Sequence, residues 1–407
     1  MHLLRSNANF RRLWAGVVVS FFGDWFTTIA LYTMAQELSD ATRAVAAVLI
    51  AKTLPIFLVS PIAGPIIDRF DRRTIMLVTD VARSVLTLGL IVGYWAGSLP
   101  AVLAVLVVRV GFSGVFIPAR TAVVPQVTTP AELPVAMALS GGTWSVMLAA
   151  GAAAGGLVTA WLGITGALVI DSLTFLLSAA FLWRLPALPP REAGDTAPKA
   201  TFLEGVQYVR RRPLLASLLL CKSGLALATA TLVTLPLYGN GLYAATASAA
   251  WVGMLYASRG VGALVGSVAI RKVSGDRSRV LAALIVPAFL WAGAWLAASS
   301  FAPTVWWAAL AYGVAAIGNG TVWVFSGIIA QRMVPQSYRG RLFSLEFGVM
   351  TLVSALSSWA AGAAMDDYGL TPQQVNLGTA ALLLIPAVAW GAAQLRNPIP
   401  QPDHSAV

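Results

Sequence analysis

The chain has 407 residues and a net charge of +11, with 58% hydrophobic and only 11% charged residues and a mean hydropathy of +0.78. A soluble domain carries about 25% charged residues, so this composition excludes a water-soluble globular protein. The apolar runs are about 20 residues long and do not alternate with polar residues, which excludes a membrane β-barrel and predicts an all-α integral membrane protein.

Breaks at charged or Pro/Gly-rich turns divide the chain into twelve predicted transmembrane helices. In chain order their approximate limits are 13–37, 44–67, 74–96, 100–123, 135–161, 164–185, 214–238, 247–270, 280–300, 303–331, 342–365 and 374–395. The break between the fifth and sixth spans depends on one short sequence, WLGITG (161–166). The first span is not expected to be a signal peptide, because its apolar part is too long and Asp24 interrupts it.

Basic residues indicate which side of the membrane is cytoplasmic. Most of the 27 Lys and Arg residues lie at the N-terminus, in the central segment and in the turns on the same side as the N-terminus, whereas the opposite turns contain only Arg43. The positive-inside rule therefore predicts that both termini are cytoplasmic. Because the basic charge is spread over turns that flank the membrane, we expect membrane lipid as a partner and no nucleic acid.

The two halves of the chain resemble each other. VPQ occurs at 124–126 and again at 334–336, and GPIIDRFDRR (64–73) has a counterpart in GSVAIRKVSGDRSR (266–279). Two repeats at equivalent turns, separated by about half the chain, predict a duplicated six-helix unit. The predicted domains are an N-terminal six-helix bundle (1–185), a cytoplasmic linker with a short amphipathic helix (186–213), and a C-terminal six-helix bundle with a short tail (214–407).

The turn 64–73, with the pattern G-x-x-x-D-R-x-x-R-R between spans two and three, resembles the major facilitator superfamily. DRFDRR and the opening NFRRLWAGVVVSFFGDWF are similar to its branch of drug, macrolide and siderophore exporters, the transmembrane secretion effectors. Arg109 and Gly114 match the family's fourth-helix R-x-x-x-x-G pattern. GAAAGGLVTAWLG (151–163) resembles the exporter motif G-P-x-x-G-G, with Ala152 in place of proline. The resemblance implies the major facilitator fold, with two pseudo-symmetric six-helix halves.

The turn also suggests a latch that holds the cytoplasmic side shut. Gly64 would let two helices approach closely, and Asp68 could face the positive end of a neighbouring helix, which the resemblance places near Leu342. We predict that the latch consists of Gly64, Asp68, Arg69, Arg72, Arg73 and Glu346, the last beside Arg339 and Arg341. A simple topology signal is the alternative, and Ile270 stands where the second half would need an acid.

Charged residues inside the spans are candidates for proton coupling. An ionisable group at the bilayer centre costs at least ~2.5 kcal/mol, so it usually has a partner or a function. Asp24 lies near the middle of span one, with Arg109 as its predicted partner or relay, and Asp171 in the outer half of span six is the next candidate. A structural ion pair is the alternative for each acid. Lys52 lies nearer the outer surface, where a gate or plain solvation is expected.

Several mid-span residues are candidates for a substrate cavity. Arg259 could bind an anionic group of a substrate or neutralise an acid of the first half. The other candidates are Asn319, Trp25, Trp144, Tyr256 and Trp323, for which helix packing is the alternative.

The sequence therefore predicts a multi-pass transporter of the bacterial inner membrane that exports amphipathic small molecules in exchange for protons by alternating access. Such an efflux antiporter for a drug, a secondary metabolite or a siderophore would act as a monomer. The alternatives are an importer of a small metabolite and a non-transporting membrane sensor or assembly partner. No enzyme, cofactor, catalytic residue or metal site is expected, because Cys221 is the single cysteine and both histidines, His2 and His404, lie in the tails.

Overall fold

The computed structural model describes residues 2–189, 207–238, 248–274, 277–334 and 336–398. These residues are almost entirely helical and contain no strand. The helices are α1 (His2–Ser6), α2 (Ala8–Leu38), α3 (Arg43–Arg69), α4 (Arg72–Trp95), α5 (Leu99–Val127), α6 (Leu133–Trp183), α7 (Pro213–Ala226), α8 (Ala230–Leu237), α9 (Ser248–Ser274), α10 (Ser278–Ala283), α11 (Ile285–Ser299), α12 (Val305–Met333), α13 (Gln336–Tyr368), α14 (Pro372–Leu382) and α15 (Leu384–Arg396). Of the predicted linker helix, residues 207–210 are helical, and the rest lies outside the described residues, as does position 335 of the second VPQ.

Eleven helical segments within the described residues are long and apolar enough to cross a membrane. One of them belongs to α6, whose 51 residues would extend about 77 Å if the helix were straight, far more than the ~30 Å of hydrocarbon. α6 is instead broken at Gly163, which has φ 70° and ψ 179°. The break falls within WLGITG, where the sequence predicts the turn between spans five and six. With α6 counted as two crossings, the described residues contain twelve helical segments of this kind, the number that the sequence predicts.

The side chains of α4 show how these helices divide their surface between protein and lipid. The middle of its buried face is polar and contains Asp80, Arg83, Ser84 and Thr87. Its exposed face is apolar and consists of Val78, Val81, Val85, Leu88, Val92 and Trp95. Spacings of three and four residues place each set on one side of the helix. This arrangement is the reverse of a soluble helix and indicates that α4 faces lipid.

The helices form two compact units. The first consists of the described residues of Met1–Gly194 and Leu235–Ala257, and the second of those of Asp195–Thr234 and Ser258–Val407. The domain limits expected from the sequence, at 185 and 214, stay a prediction.

Glycines of α6 allow its backbone to touch two other helices of the first unit. A Cβ atom built on Gly155 would lie 2.8 Å from the carbonyl oxygen of Trp25 in α2. A Cβ atom on Gly156 would lie 2.7 Å from the carbonyl oxygen of Ala249 in α9. Both distances are too short for real atoms, so the packing requires glycine. The close packing expected of the GAAAGG segment is present, and it brings the middle of α2 against α6.

Hydrogen bonds from serine hydroxyl groups join α4 to α6. Ser84 donates a hydrogen bond to the carbonyl oxygen of Ser172 at 3.0 Å, and Ser172 donates one to the carbonyl oxygen of Ser84 at 3.1 Å. Helices in a membrane gain little from apolar contact with each other, because lipid offers the same contact, so small residues and hydrogen bonds of this kind hold them together. α6 is therefore fixed against both α2 and α4.

We predict that Gly156→Ala lowers the stability of the first unit by about 1–3 kcal/mol, because the added methyl group must push α6 away from α9. Gly378→Ala is the matched control, since a Cβ atom at this exposed helical glycine has no described atom within 4 Å. Thermal unfolding of the purified variants in detergent checks the prediction. An unfolding midpoint for Gly156→Ala equal to that of Gly378→Ala would contradict it.

Candidate functional site

The first unit contains a buried ion cluster centred on Arg109 of α5. The Nη2 atom donates hydrogen bonds to Oδ1 of Asp24 and to Oδ2 of Asp171, both at 2.8 Å. The Nε atom donates to Oγ1 of Thr87 at 2.9 Å. The side chain is 3% exposed. A single guanidinium group therefore binds α2, α6 and α4 to α5 in the interior of the unit.

The two carboxylates of this cluster differ in their access to solvent. Asp171 is fully buried, and Thr27 donates a hydrogen bond to its Oδ2 atom. The Asp24 side chain is 33% exposed. The cluster therefore contains one partly exposed and one fully buried carboxylate.

Lys52 of α3 adds a second cation beside the cluster. Its ammonium group donates to the hydroxyl group of Thr28, which in turn donates to the backbone carbonyl of Asp24 at 2.6 Å. The Nζ atom also lies 5.9 Å from the ring centroid of Trp25. Plain solvation, one of the two expectations for Lys52, was wrong, because α3 places this side chain against Thr28 of α2. The alternative of a gate stays a prediction.

A second buried ion pair lies on α4 and was missed from the sequence. Arg83 binds Asp80, and Ser178 donates to Oδ2 of Asp80 at 2.7 Å. The Arg83 guanidinium lies between the rings of Phe116 and Phe175, 4.2 and 4.4 Å from their centroids. The available signal was two opposite charges three residues apart in an apolar span, a spacing that places both on one helix face.

The turn after α3 makes several hydrogen bonds within the first unit. Asp71 caps α4 by accepting a hydrogen bond from the Thr74 amide at 2.9 Å, and its other oxygen accepts one from the Leu188 amide at 2.5 Å. The Arg72 amide donates to the Leu188 carbonyl at 3.0 Å. The turn therefore holds the chain just after α6 in place.

The arginines of the turn bind backbone carbonyls. Arg72 donates to the carbonyl of Ala122 at 3.3 Å, and Arg73 donates to that of Trp183 at 2.5 Å. Trp183 is the last residue of α6, where unpaired carbonyl groups carry partial negative charge. Both arginines thus have partners in their own unit.

The other latch candidates of the first unit, Gly64, Asp68 and Arg69, are exposed. Asp68 and Arg69 lie at the surface at the end of α3. A Cβ atom on Gly64 would have no described atom of the first unit within 4 Å, so the close helix approach expected there is absent from this unit. A meeting of Asp68 with the helix near Leu342 stays a prediction.

The sixth latch candidate, Glu346, pairs with Lys222 of α7 at 2.8 Å within the second unit. The sequence places it beside Arg339 and Arg341, whose side chains lie outside the described residues. Glu346 is the eleventh residue of α13 and the second residue of its apolar stretch, Leu345–Tyr368, so it lies near the start of this span, as predicted.

Two of the substrate-cavity candidates line one small cavity in the second unit. It is lined by Arg259, Asn319, Thr231, Tyr312, Ala228, Ala292, Leu296, Ala315 and Leu383. The Oδ1 atom of Asn319 is buried and accepts no hydrogen bond from the described residues, so it can bind a donor group. The cavity therefore combines apolar walls with a cation and an amide.

The four aromatic candidates are placed elsewhere. Trp25 and Tyr256 belong to the first unit, where their ring centroids are 5.7 Å apart and Tyr256 also stacks on Tyr32. Tyr256 is buried and packs against both rings, and a role of Trp25 and Tyr256 in binding substrate stays a prediction. Trp144 and Trp323 are exposed, and Trp323 lies beside the Lys222 ammonium group.

Comparisons with known proteins assign the chain to a family. The family model described as Major Facilitator Superfamily matches residues 13–358. "Uncharacterized MFS-type transporter YfiS" of Bacillus subtilis (strain 168) is 28% identical over 226 residues, which are 54% of this chain and 53% of YfiS. "Putative bacilysin exporter BacE" of Bacillus amyloliquefaciens is 32% identical over 215 residues, or 52% of each protein. The chain thus matches about half the length of these two relatives.

Solved structures show the same fold. The POT family transporter PepTSo has a TM-score of 0.76 at 12% identity, over 95% of this chain and 98% of that one. A bacterial homologue of the human lysosomal transporter Spinster, in an inward-facing and unoccupied conformation, has a TM-score of 0.72 at 16% identity, over 96% and 98% of the two chains. At these identities the likeness shows the fold and carries no information about substrate.

We predict that Arg109 is coupled more strongly to Asp171 than to Asp24. A double-mutant cycle with Arg109→Gln should give about 2–3 kcal/mol with Asp171→Asn and about 1 kcal/mol with Asp24→Asn, because Asp24 is partly screened by solvent. The measurement is the unfolding free energy of each purified variant in detergent. Equal coupling to both acids would show that their different burial has no energetic consequence.

Proposed function

The chain belongs to the major facilitator superfamily, and from this membership we propose that it is a secondary transporter that exports an amphipathic small molecule across the bacterial inner membrane in exchange for protons. The observation that carries the proposal is the cluster in which Arg109 binds both Asp24 and Asp171. The exporter name of one relative supports the direction of transport, as does the resemblance of DRFDRR and GAAAGG to exporter motifs.

Asp24 is the proposed site of proton binding. It is the exposed carboxylate of the cluster, and it shares one guanidinium nitrogen with the buried Asp171. A proton on Asp24 removes its charge and weakens its bond to Arg109, while Asp171 and Thr87 retain theirs. Protonation would therefore loosen α2 from α5 and leave α5, α4 and α6 together.

The free energy of the Asp24–Arg109 hydrogen bond is large enough to couple proton binding to transport. A hydrogen bond to a charged group contributes about 1.5–3 kcal/mol. Couplings between two binding sites are typically about 1–3 kcal/mol. The loss or gain of the Asp24–Arg109 bond could therefore shift the balance between the two facing states of an alternating-access cycle, in which residues 1–185 rock against 214–395.

The cavity of Arg259 and Asn319 is the proposed contact for the substrate. Alanine and leucine side chains would bind an apolar body, and the guanidinium and amide groups would orient a polar end. This combination fits an amphipathic small molecule, such as a drug, a secondary metabolite or a siderophore.

Resistance profiling tests the proposed function. A bacterial host that lacks its own pumps should accumulate less of some compounds from a panel when it expresses the chain. Inverted vesicles with an acidic lumen should then take up the same compounds. Uptake into right-side-out vesicles instead would indicate an importer, and no movement of any compound in either vesicle would leave a non-transporting membrane protein.

We predict that Asp68→Asn folds normally but transports more slowly, with the cytoplasmic side open more often, because the exposed Asp68 is the proposed latch acid. Asp71→Ala is the comparison, since Asp71 caps α4 and its loss should lower stability by about 1 kcal/mol. Cysteine labelling from the cytoplasm, measured together with transport, distinguishes the two effects. Unchanged labelling and unchanged transport in Asp68→Asn would reduce the turn to a topology signal.

We predict that Asp24→Asn, which resembles the protonated side chain, still binds substrate and loses uphill export. The loss should be about tenfold or more, corresponding to about 1.4 kcal/mol of coupling. Uptake into inverted vesicles driven by a pH gradient gives the measurement, with the exposed Asp40→Asn as the control. If Asp24 is only a structural partner of Arg109, the variant will instead be less stable and will pump normally, which would leave Asp171 as the acid to test.

A further inference from the structure

The ion pair of the second unit is surrounded by aromatic rings. Nζ of Lys222 lies 2.8 Å from Oε2 of Glu346, 5.1 Å from the ring centroid of Trp323 and 5.7 Å from that of Phe343. A carboxylate and two ring faces around one ammonium group are the arrangement by which proteins bind organic cations. In this structure the cation belongs to the chain itself.

Glu346 has an unused acceptor atom. The residue is 6% exposed, and its Oε1 atom is buried without a hydrogen-bond partner among the described residues. A buried carboxylate that serves only a structural pair normally has both oxygens satisfied, because an unmet acceptor destabilises the folded state. This oxygen, which no described donor satisfies, therefore points to a ligand that binds the carboxylate more completely than Lys222 does.

There is also space beside the Lys222 ammonium group. A Cβ atom on Gly327 would lie 3.8 Å from Nζ of Lys222 and would have no other described atom within 4 Å. Trp323 is 47% exposed, so one aromatic wall is accessible. Trp323 lies one helical turn after Asn319 on α12, which places this ion pair next to the cavity of the proposed substrate contact.

We propose that Glu346, Trp323 and Phe343 form a binding site for an organic cation and that Lys222 occupies this site as a tethered internal competitor. The inference rests on the proposed function, since the bound cation would be the exported molecule. Lysine suits the role because its ammonium group is a compact charge on a flexible stem and does not form the two-pronged contact of arginine. In the empty site it neutralises a carboxylate that would otherwise be an unpaired charge in an apolar interior.

Two substitutions should change cation binding in opposite directions. Lys222→Met removes the competing ammonium group, so the affinity for tetraphenylphosphonium should rise about tenfold. The reason is that a ligand binds more weakly when only a fraction of the protein has its site available. Glu346→Gln and the double variant Lys222→Met/Glu346→Gln remove the carboxylate and should lose this binding. Lys272→Met is the matched control, because Lys272 is exposed on α9, and it should bind as the unaltered protein does.

Binding is measured on purified protein in detergent by titration and by the ligand-induced shift of the unfolding midpoint, with triphenylphosphine oxide as a neutral probe of similar shape. If Lys222→Met unfolds without ligand, recovery of folded protein with tetraphenylphosphonium but not with the neutral probe supports the proposal. Failure of tetraphenylphosphonium to restore folding overturns it. Equal or weaker cation affinity in Lys222→Met than in the unaltered protein, or equal affinity in the double variant, also overturns it.

This assay separates the inference from the proposed function. Binding in detergent requires neither a membrane nor a proton gradient, so a protein that fails to transport can still show the two opposite effects. A protein that exports compounds while Lys222→Met leaves cation affinity unchanged would refute only the cation site.

Discussion

The pairing of charges in an apolar interior governs how this molecule is built, and Arg109 is its clearest case. A guanidinium group held away from water needs partners for its donors, and α2, α4 and α6 each supply one. Because these partners lie on different helices, satisfying one ion also sets how four helices meet. The glycines of α6 make this possible by letting the backbones of α2 and α6 approach closely. Packing and electrostatics in the first unit therefore depend on each other.

The two units meet the same constraint with different cations. The arginine in the first unit has several donors in a rigid plane, and it holds two carboxylates and a hydroxyl group together. The lysine in the second unit makes one contact with Glu346, and the other carboxylate oxygen has no hydrogen-bond partner among the described residues. A rigid multiple contact is suited to transmitting the loss of one bond to the helices around it. A single flexible contact is suited to exchange with a ligand. We therefore propose that the first unit couples proton binding to movement and that the second unit binds the transported cation.

The turn at the end of α3 shows that a motif can have contacts of more than one kind. Asp71 and Arg73 bind the end of α6 and the residues that follow it, and Arg72 binds Leu188 and Ala122 of α5, so all three stabilise the first unit itself. Asp68 and Arg69 are exposed. The concentration of charge in this short segment is therefore explained in part by capping and by the neutralisation of a helix end, and only its exposed members are left for the proposed latch.

The sequence by itself determined the class of protein, the number of membrane crossings and the break at WLGITG, because length, hydropathy and turn residues are local properties of the chain. It also indicated the depth of Asp24 and Arg109, since each residue adds about 1.5 Å along a helix. Only the tertiary structure decided that Asp171 binds the same Arg109 nitrogen as Asp24 and that Lys52 lies beside this ion cluster. It also decided that Glu346 pairs with Lys222. The ion pair of Asp80 and Arg83 was missed, although the two residues are only three positions apart in the chain. The physical reason is that burial and pairing depend on how each helix is rotated and on which faces meet, and residues far apart in the chain determine that rotation.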